Sequence, residues 1–437
     1  MKTLVIFITL LVLNSNLFSQ TLTREQVQAD IDTVLNILSN IHPTFNQTTN
    51  KQELIKVRNT VNNEMSVHDF FRMIQPLITI DGHTTLQFNA KIYPEIANPL
   101  FPFETVVVND KLYIKNNLSA DTLIGRGVEI LTINNEKTSS IIREILHYVP
   151  GEKKEYKIRK LDNGGFTNWY RLVYGNCETF SLTWQKDDTK TFSFVKGINR
   201  QSLNQNKNQD LDFRILEPDI SYLKVGKFVH PKYFMPFLDS VFTEMRNQEI
   251  NHLIIDKTRG GGFSILADSL LSFISENPYR EFEKKEIRIS PETQEYITEI
   301  KDVGNTDGEY FVVKKELHEP VTRANRFLGK VYVLTGPTAY SAATLFVAMA
   351  KCYSSATIVG QETGQPLISN GDISRHKLPN TGLNLYTSHT TYYLPCAIND
   401  QDGAMPNIKV DVTLNDLLID NDKYLKFTLN LIRENSR

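Results

Sequence analysis

The stretch KVYVLTGPTAYSAATLFVAMA, Lys330 to Ala350, decides the fold. Its first residues concentrate β-branched, aromatic and aliphatic side chains as a strand does, and its second half is an alanine-rich apolar run of helical character. Gly336 and Pro337 turn the chain between the two. Ser341 stands at the junction, where a serine is either a helix cap or a nucleophile.

Working outward, the same alternation recurs. ISYLKV precedes a helical run around Phe237, Val241 and Met245, and HLIID precedes a run from Ser264 to Ile274. ATIVG follows the Ser341 run. Strands alternating with helices predict an α/β fold, with parallel strands joined by crossover helices. The charge-rich piece from Lys284 to Tyr310 reads as an insertion or surface hairpin.

Upstream the pattern changes twice. Thr23 to Gln26 form a capping box, followed by Val27, Ile31, Val34, Leu35 and Leu38 at helical spacing until His42-Pro43. Two further helical stripes follow, Leu54–Val57–Val61 and Phe70–Met73–Ile74–Leu77, so residues 20–92 read as a small helical unit that also carries DGHTTL. Residues 93–205 read as mostly β, on ETVVV, KLYIK, VEILTI and TFSLTW between Asn, Asp and Gly turns. The polar string SLNQNKNQDLD (202–212) is a linker candidate, and 206–437 forms the α/β unit.

Composition narrows the function. With 41% hydrophobic residues, 22% charged residues and a formal charge of −2, the chain offers no strongly basic face for a nucleic acid. MKTLVIFITLLVLNSNLFSQ sets one lysine before a ten-residue apolar run, which predicts a secretory signal over residues 1–19 and a secreted or periplasmic protein. That run is too short to span a bilayer, so no stable membrane span is expected after cleavage. Cys177, Cys352 and Cys396 are read as three buried thiols, with one bridging pair at most. No metal-ligand spacing is present, so neither metal nor cofactor is expected.

Function in a parallel sheet gathers at the carboxyl ends of its strands. Ser341 lies there, with the Ala342 N–H at the first turn of a helix free to meet an oxyanion. IIDKTRGGGFS (254–264) runs a strand into three glycines, whose backbone can approach a substrate; it matches neither a Walker motif nor GxGxxG. A nucleophilic serine needs a base, and His83 in DGHTTL is the candidate among nine histidines.

Six segments in this order, DGHTTL, GVEILTINN, IIDKTRGGG, TAYSAATLF, ATIVGQETG and DGAMPNIKVDV, resemble the S41 peptidases over nearly the whole mature chain. The resemblance implies a ClpP/crotonase-like core, and GVEILTINN is similar to the signature stretch of a PDZ-like module. The serine-lysine branch of that family is ruled out, because Gln365 stands at the place of its lysine and Thr344 at that of its partner acid. The tricorn-like branch implies Ser341 as nucleophile, His83 as general base and Asp400 as the orienting acid, with Asp402 as the alternative. It implies an oxyanion hole of Ala342 with Gly261 or Gly262. The implied activity is that of a serine endopeptidase working through an acyl-enzyme on peptides or proteins, C-terminal tails among them. A catalytically silent binder of peptides or other ligands is the competing expectation; an esterase has no GxSxG elbow to support it.

Overall fold

In the computed structural model the described residues are 21–435, apart from 90, 94–98, 204–209, 301, 303, 323, 420 and 421. The signal reading of residues 1–19 and the centre of the polar string lie outside them.

A six-stranded sheet carries the α/β half. Its order is Leu211–Glu217, Ile220–Val225, His252–Asp256, Lys330–Thr335, Thr357–Gly360 and Ile408–Lys409. The first pair is antiparallel and every later pairing is parallel. Parallel strands are buried on both faces, which is why they read as continuous apolar runs. The two-residue period sorts their side chains between two cores. Leu253, Ile255, Val331 and Val333 face a layer that includes the helices Pro231–Asn247, Ser264–Ser272 and Ala342–Tyr353. Ile254, Tyr332 and Leu334 meet Ile432 of the helix Lys423–Asn435. The Ala342–Tyr353 helix is buried from Ala342 through Ala350, so its small residues let neighbouring elements approach closely.

A second sheet is antiparallel throughout: Gly304–Asp307, Tyr310–Lys314, Lys284–Arg288, Asn384–Tyr393 and Ile368–Lys377. The charge-rich segment that read as an insertion therefore supplies strands to this sheet, with the helix Pro291–Glu299 between two of them. Thr85–Gln87 pairs with Asn384–Tyr386, which ties the chain just after His83 into the α/β half.

The helices Arg24–Ile41, Thr49–Thr60 and Val67–Ile78 occupy the stretches where apolar stripes run. The Thr23/Gln26 capping box closes the start of the first. Residues 93–205 contain a sheet of Phe103–Val108, Lys111–Asn117, Glu129–Ile133, Thr179–Lys186 and Thr189–Lys196. They also contain the helices Thr138–Tyr148, Lys154–Arg159 and Gly165–Tyr174, so this part is α and β rather than mostly β. Its Ile130, Ile142 and Phe166 share one apolar core with Ile31, Phe70 and Ile74 of the N-terminal helices.

The cysteine reading is corrected. Cys352 and Cys396 form a disulfide across 44 residues, and only Cys177 is free. Cys352 lies in the last turn of the Ala342–Tyr353 helix and Cys396 follows the strand Asn384–Tyr393. Their approach to 6.1 Å between Cα atoms is a tertiary event that sequence spacing does not reveal. Among the described residues, no helix is long and apolar enough to cross a membrane.

Candidate active site

The glycine loop is shaped by contacts that exclude side chains. A Cβ on Gly260, at φ +88°, would stand 1.7 Å from the Gly226 carbonyl, and one on Gly262, at φ +118°, would stand 2.2 Å from the Phe228 carbonyl. Both positions need glycine. A Cβ on Gly261 would lie 3.2 Å from Ser341 Cβ, so the loop rests on the serine. Phe228 clamps the loop from outside, its N–H donating to Gly261 O at 2.8 Å while its carbonyl accepts from Phe263 N at 2.9 Å. Lys257, fully buried, holds the preceding strand end by donating to Val225 O at 2.8 Å, and burial pushes its pKa down to about 7.

Ser341 occupies the N-cap position of its helix but does not act as a cap. Its side chain makes no capping hydrogen bond, and its backbone sits at φ 57°, ψ −128°. A left-handed φ is unusual for any residue with a Cβ, and such outliers concentrate at functional sites. The backbone N–H of Ser341 donates to Gln365 Oε1 at 2.6 Å.

His83 reaches the same place from the other end of the chain. The Asp81 carboxylate accepts from the N–H groups of His83 at 2.9 Å and Thr84 at 2.6 Å, and lies 2.9 Å from His42 Nε2. Burial alone would raise the Asp81 pKa, but the bond to His42 and the nearby imidazoles outweigh it and hold the carboxyl well below the usual range. Tyr340, the residue before the serine, accepts from Gly82 N at 2.9 Å and donates to Glu152 Oε2 at 2.7 Å. Its ring stacks on Tyr156 at 4.5 Å and meets the His83 ring edge-on at 5.1 Å. A Cβ on Gly82 would overlap the Tyr340 hydroxyl, so glycine is required for this approach. The His83 Nδ1 lies 3.2 Å from the Asn370 carbonyl. Desolvation pulls the His83 pKa below the ordinary value, against the charge of Asp81 and the Asn370 bond.

These elements enclose a cavity of about 180 Å³, lined by His83, Gly262, Ser341, Ala342, Gln365 and Asn370, with an apolar wall of Phe263, Leu345, Tyr392 and Leu394. His83 and Ser341 share it without a hydrogen bond between them; such bonds are often long in unliganded sites and tighten on substrate. Ala342 opens its helix, so its N–H is among those a helix leaves without an intrahelical partner, and the helix dipole favours negative charge beside it. Asp400 is exposed on the loop after Cys396 and does not line the cavity. Asp402 is exposed too, its carboxylate accepting from Asn399 Nδ2 at 2.7 Å. The structure thus brings Ser341, His83, Ala342 and Gly262 together with Gly261 alongside, and leaves Asp400 outside.

Sequence reasoning did not find Tyr340, Asp81, His42 or Asn370. Asp81 lies inside DGHTTL and Tyr340 next to Ser341, so adjacency is the signal that could have found them. Asn370 takes part through its carbonyl, which every residue has and no motif records. Among the described residues, no group of three His, Cys, Asp or Glu is placed to hold a metal ion.

Residues 219–410 match the family model described as Peptidase family S41. Among solved structures, mature CPAF aligns with a TM-score of 0.66 at 14% identity, over 92% of this chain and 95% of that one. Mature CPAF complexed with lactacystin aligns at 0.65 and 13% identity, over 93% and 97%. The photosystem II D1 C-terminal processing protease reaches 0.48 at 10% identity, over 88% and 93%. At such identities the CPAF likeness establishes the fold alone, a mixed α/β architecture. No curated protein matches the sequence.

Proposed function

We propose, on the premise of the match of residues 219–410 to the Peptidase family S41 model, that the chain is a serine endopeptidase with Ser341 as nucleophile and His83 as general base. The observation that carries this reading is the Ser341 backbone. It is held at a strained φ with its hydroxyl uncommitted, in a cavity that also receives an imidazole from residue 83. The Ser341 Oγ attacks the scissile carbonyl carbon while its proton passes to His83 Nε2. Collapse of the tetrahedral intermediate breaks the C–N bond, and the imidazolium returns the proton to the leaving amine. Water, activated by the same imidazole, then hydrolyses the acyl-enzyme. The N–H groups of Ala342 and of Gly261 or Gly262 receive the oxyanion, each donor lowering the barrier by about 3 kcal/mol.

The substrates are peptides or proteins, with C-terminal tails presented by the 93–205 region through strand addition, as in a PDZ-like module. Export to an oxidising compartment is supported by the leader-like N-terminus and by the Cys352–Cys396 disulfide. Two observations favour a second reading, a silent peptide binder: no hydrogen bond joins His83 to Ser341, and Asp400 stands outside the cavity.

A fluorophosphonate probe separates the two. The peptidase reading expects covalent labelling of the wild type and none of Ser341→Ala, together with loss of peptide hydrolysis in that variant. An unlabelled wild type, or equal labelling of both proteins, leaves only the binding reading.

A further inference from the structure

Gln365 is 4% exposed and bonded at both ends of its amide. Its Oε1 accepts from the Ser341 N–H at 2.6 Å, and its Nε2 donates to the Asn370 carbonyl at 3.2 Å. That carbonyl is also the partner of His83 Nδ1, at 3.2 Å. A carbonyl oxygen has two lone pairs and only accepts, so the neutral His83 ring must carry its proton on Nδ1, which leaves the Nε2 lone pair as the base.

Both ends of this bridge are rigid. The Gln365 main chain is held by Thr363 Oγ1 donating to its carbonyl at 3.2 Å, and the preceding Gly364 N–H donates to Ala339 O at 2.8 Å. Asn370 lies in the strand Ile368–Lys377 opposite Thr391, whose hydroxyl donates to Asn370 Oδ1 at 2.9 Å.

The geometry points to Gln365 as the positioning residue of the serine centre: one side-chain amide fixes the Ser341 main chain and the Asn370 carbonyl, and the carbonyl does for His83 what a triad carboxylate does elsewhere. This inference rests on Ser341 and His83 being nucleophile and base. It adds that the imidazole is oriented by a neutral main-chain acceptor, which fits the exposed placement of Asp400. A neutral acceptor selects the tautomer and the ring plane without adding a charge to the cavity.

The test combines ¹⁵N NMR of histidine-labelled protein, with His83 assigned by the His83→Ala spectrum, and fluorophosphonate inactivation kinetics on the full chain. In the wild type at pH 8, Nδ1 of His83 is expected to carry the proton. Gln365→Met keeps the length and removes both hydrogen bonds. It is expected to mix the two tautomers and to lower the inactivation rate constant by about 10- to 100-fold at unchanged probe affinity, as misoriented groups do.

A wild-type His83 protonated on Nε2 overturns the inference without any variant having to fold. So does a Met variant with an unchanged tautomer, or a loss confined to probe affinity, since a merely structural glutamine would leave the ring proton where it is. Failure of the underlying reading looks different: the wild type is then not labelled at Ser341, whatever the tautomer.

Discussion

Ser341 adopts a backbone conformation that glycine tolerates and a residue with a Cβ adopts only at a cost of about 1–3 kcal/mol. Alanine keeps that Cβ, while glycine removes it and loses only part of the gain to the entropy of the unfolded chain. Ser341→Gly is therefore expected to be more stable than Ser341→Ala by about 1 kcal/mol, with both inactive. Equal denaturation midpoints would remove the strain argument. For His83 the sign follows from desolvation, which pulls the folded pKa below the ordinary value of about 6.5. The neutral ring is the working form, so activity persists as pH falls through 6.5 and declines only below it. A pH–kcat/KM profile whose acid limb sits at or above about 7 would count against His83 as the base. Ser341 and His83, the proposed nucleophile and base, stand out in the sequence as scarce side chains in recognisable settings, and the fold places both in one cavity. Asp400 rested on the resemblance alone, and Asn370 O, a main-chain atom, had no signal.

Among elements, the glycine loop and the start of the serine helix form one unit, joined by the short parallel pairing of Arg259–Gly260 with Thr338–Ala339. Gly261 has no left-handed φ to protect, so its requirement is one of space: a Cβ there would stand 2.9 Å from the Tyr340 carbonyl and 3.2 Å from Ser341 Cβ. Gly261→Ala must push the loop away from the serine. It is expected to lower kcat by about 100-fold or more, the scale of one lost oxyanion donor, with KM and the thermal midpoint little changed. A variant with normal kcat would place the oxyanion elsewhere. At this scale the parallel strands and their crossover helices were legible, because burial on both faces leaves long apolar runs between turns. The helix Gly165–Tyr174 was not, since its apolar residues lie among strand-like runs, and it shares a core with N-terminal helices far away in sequence. The antiparallel second sheet was missed for a related reason: its charged strands are half-buried, and pairings such as Lys284 with Tyr393 span more than a hundred residues.

For the whole molecule, the cavity is assembled from distant pieces of chain, and its walls are tied by a covalent link that composition argued against. Cys352 lies in the last turn of the helix that follows Ser341, and Cys396 lies two residues beyond Leu394 in the cavity wall. The double variant Cys352→Ser/Cys396→Ser is expected to lose about 2–4 kcal/mol of stability, read as a lower denaturant midpoint. The wild type treated with reductant should move to the same midpoint. Coincident midpoints for oxidised wild type and variant would mean that the link adds nothing. By itself the sequence determined the alternation of strand and helix, the helical start of the chain and the two scarce side chains, because local periodicity and residue chemistry are written along the chain. Only the tertiary structure decided which carbonyl faces the imidazole, which thiols meet and which carboxylates stay in solvent. Those outcomes depend on distances between segments that lie from 44 to 287 residues apart, and such distances exist only once the cores have packed.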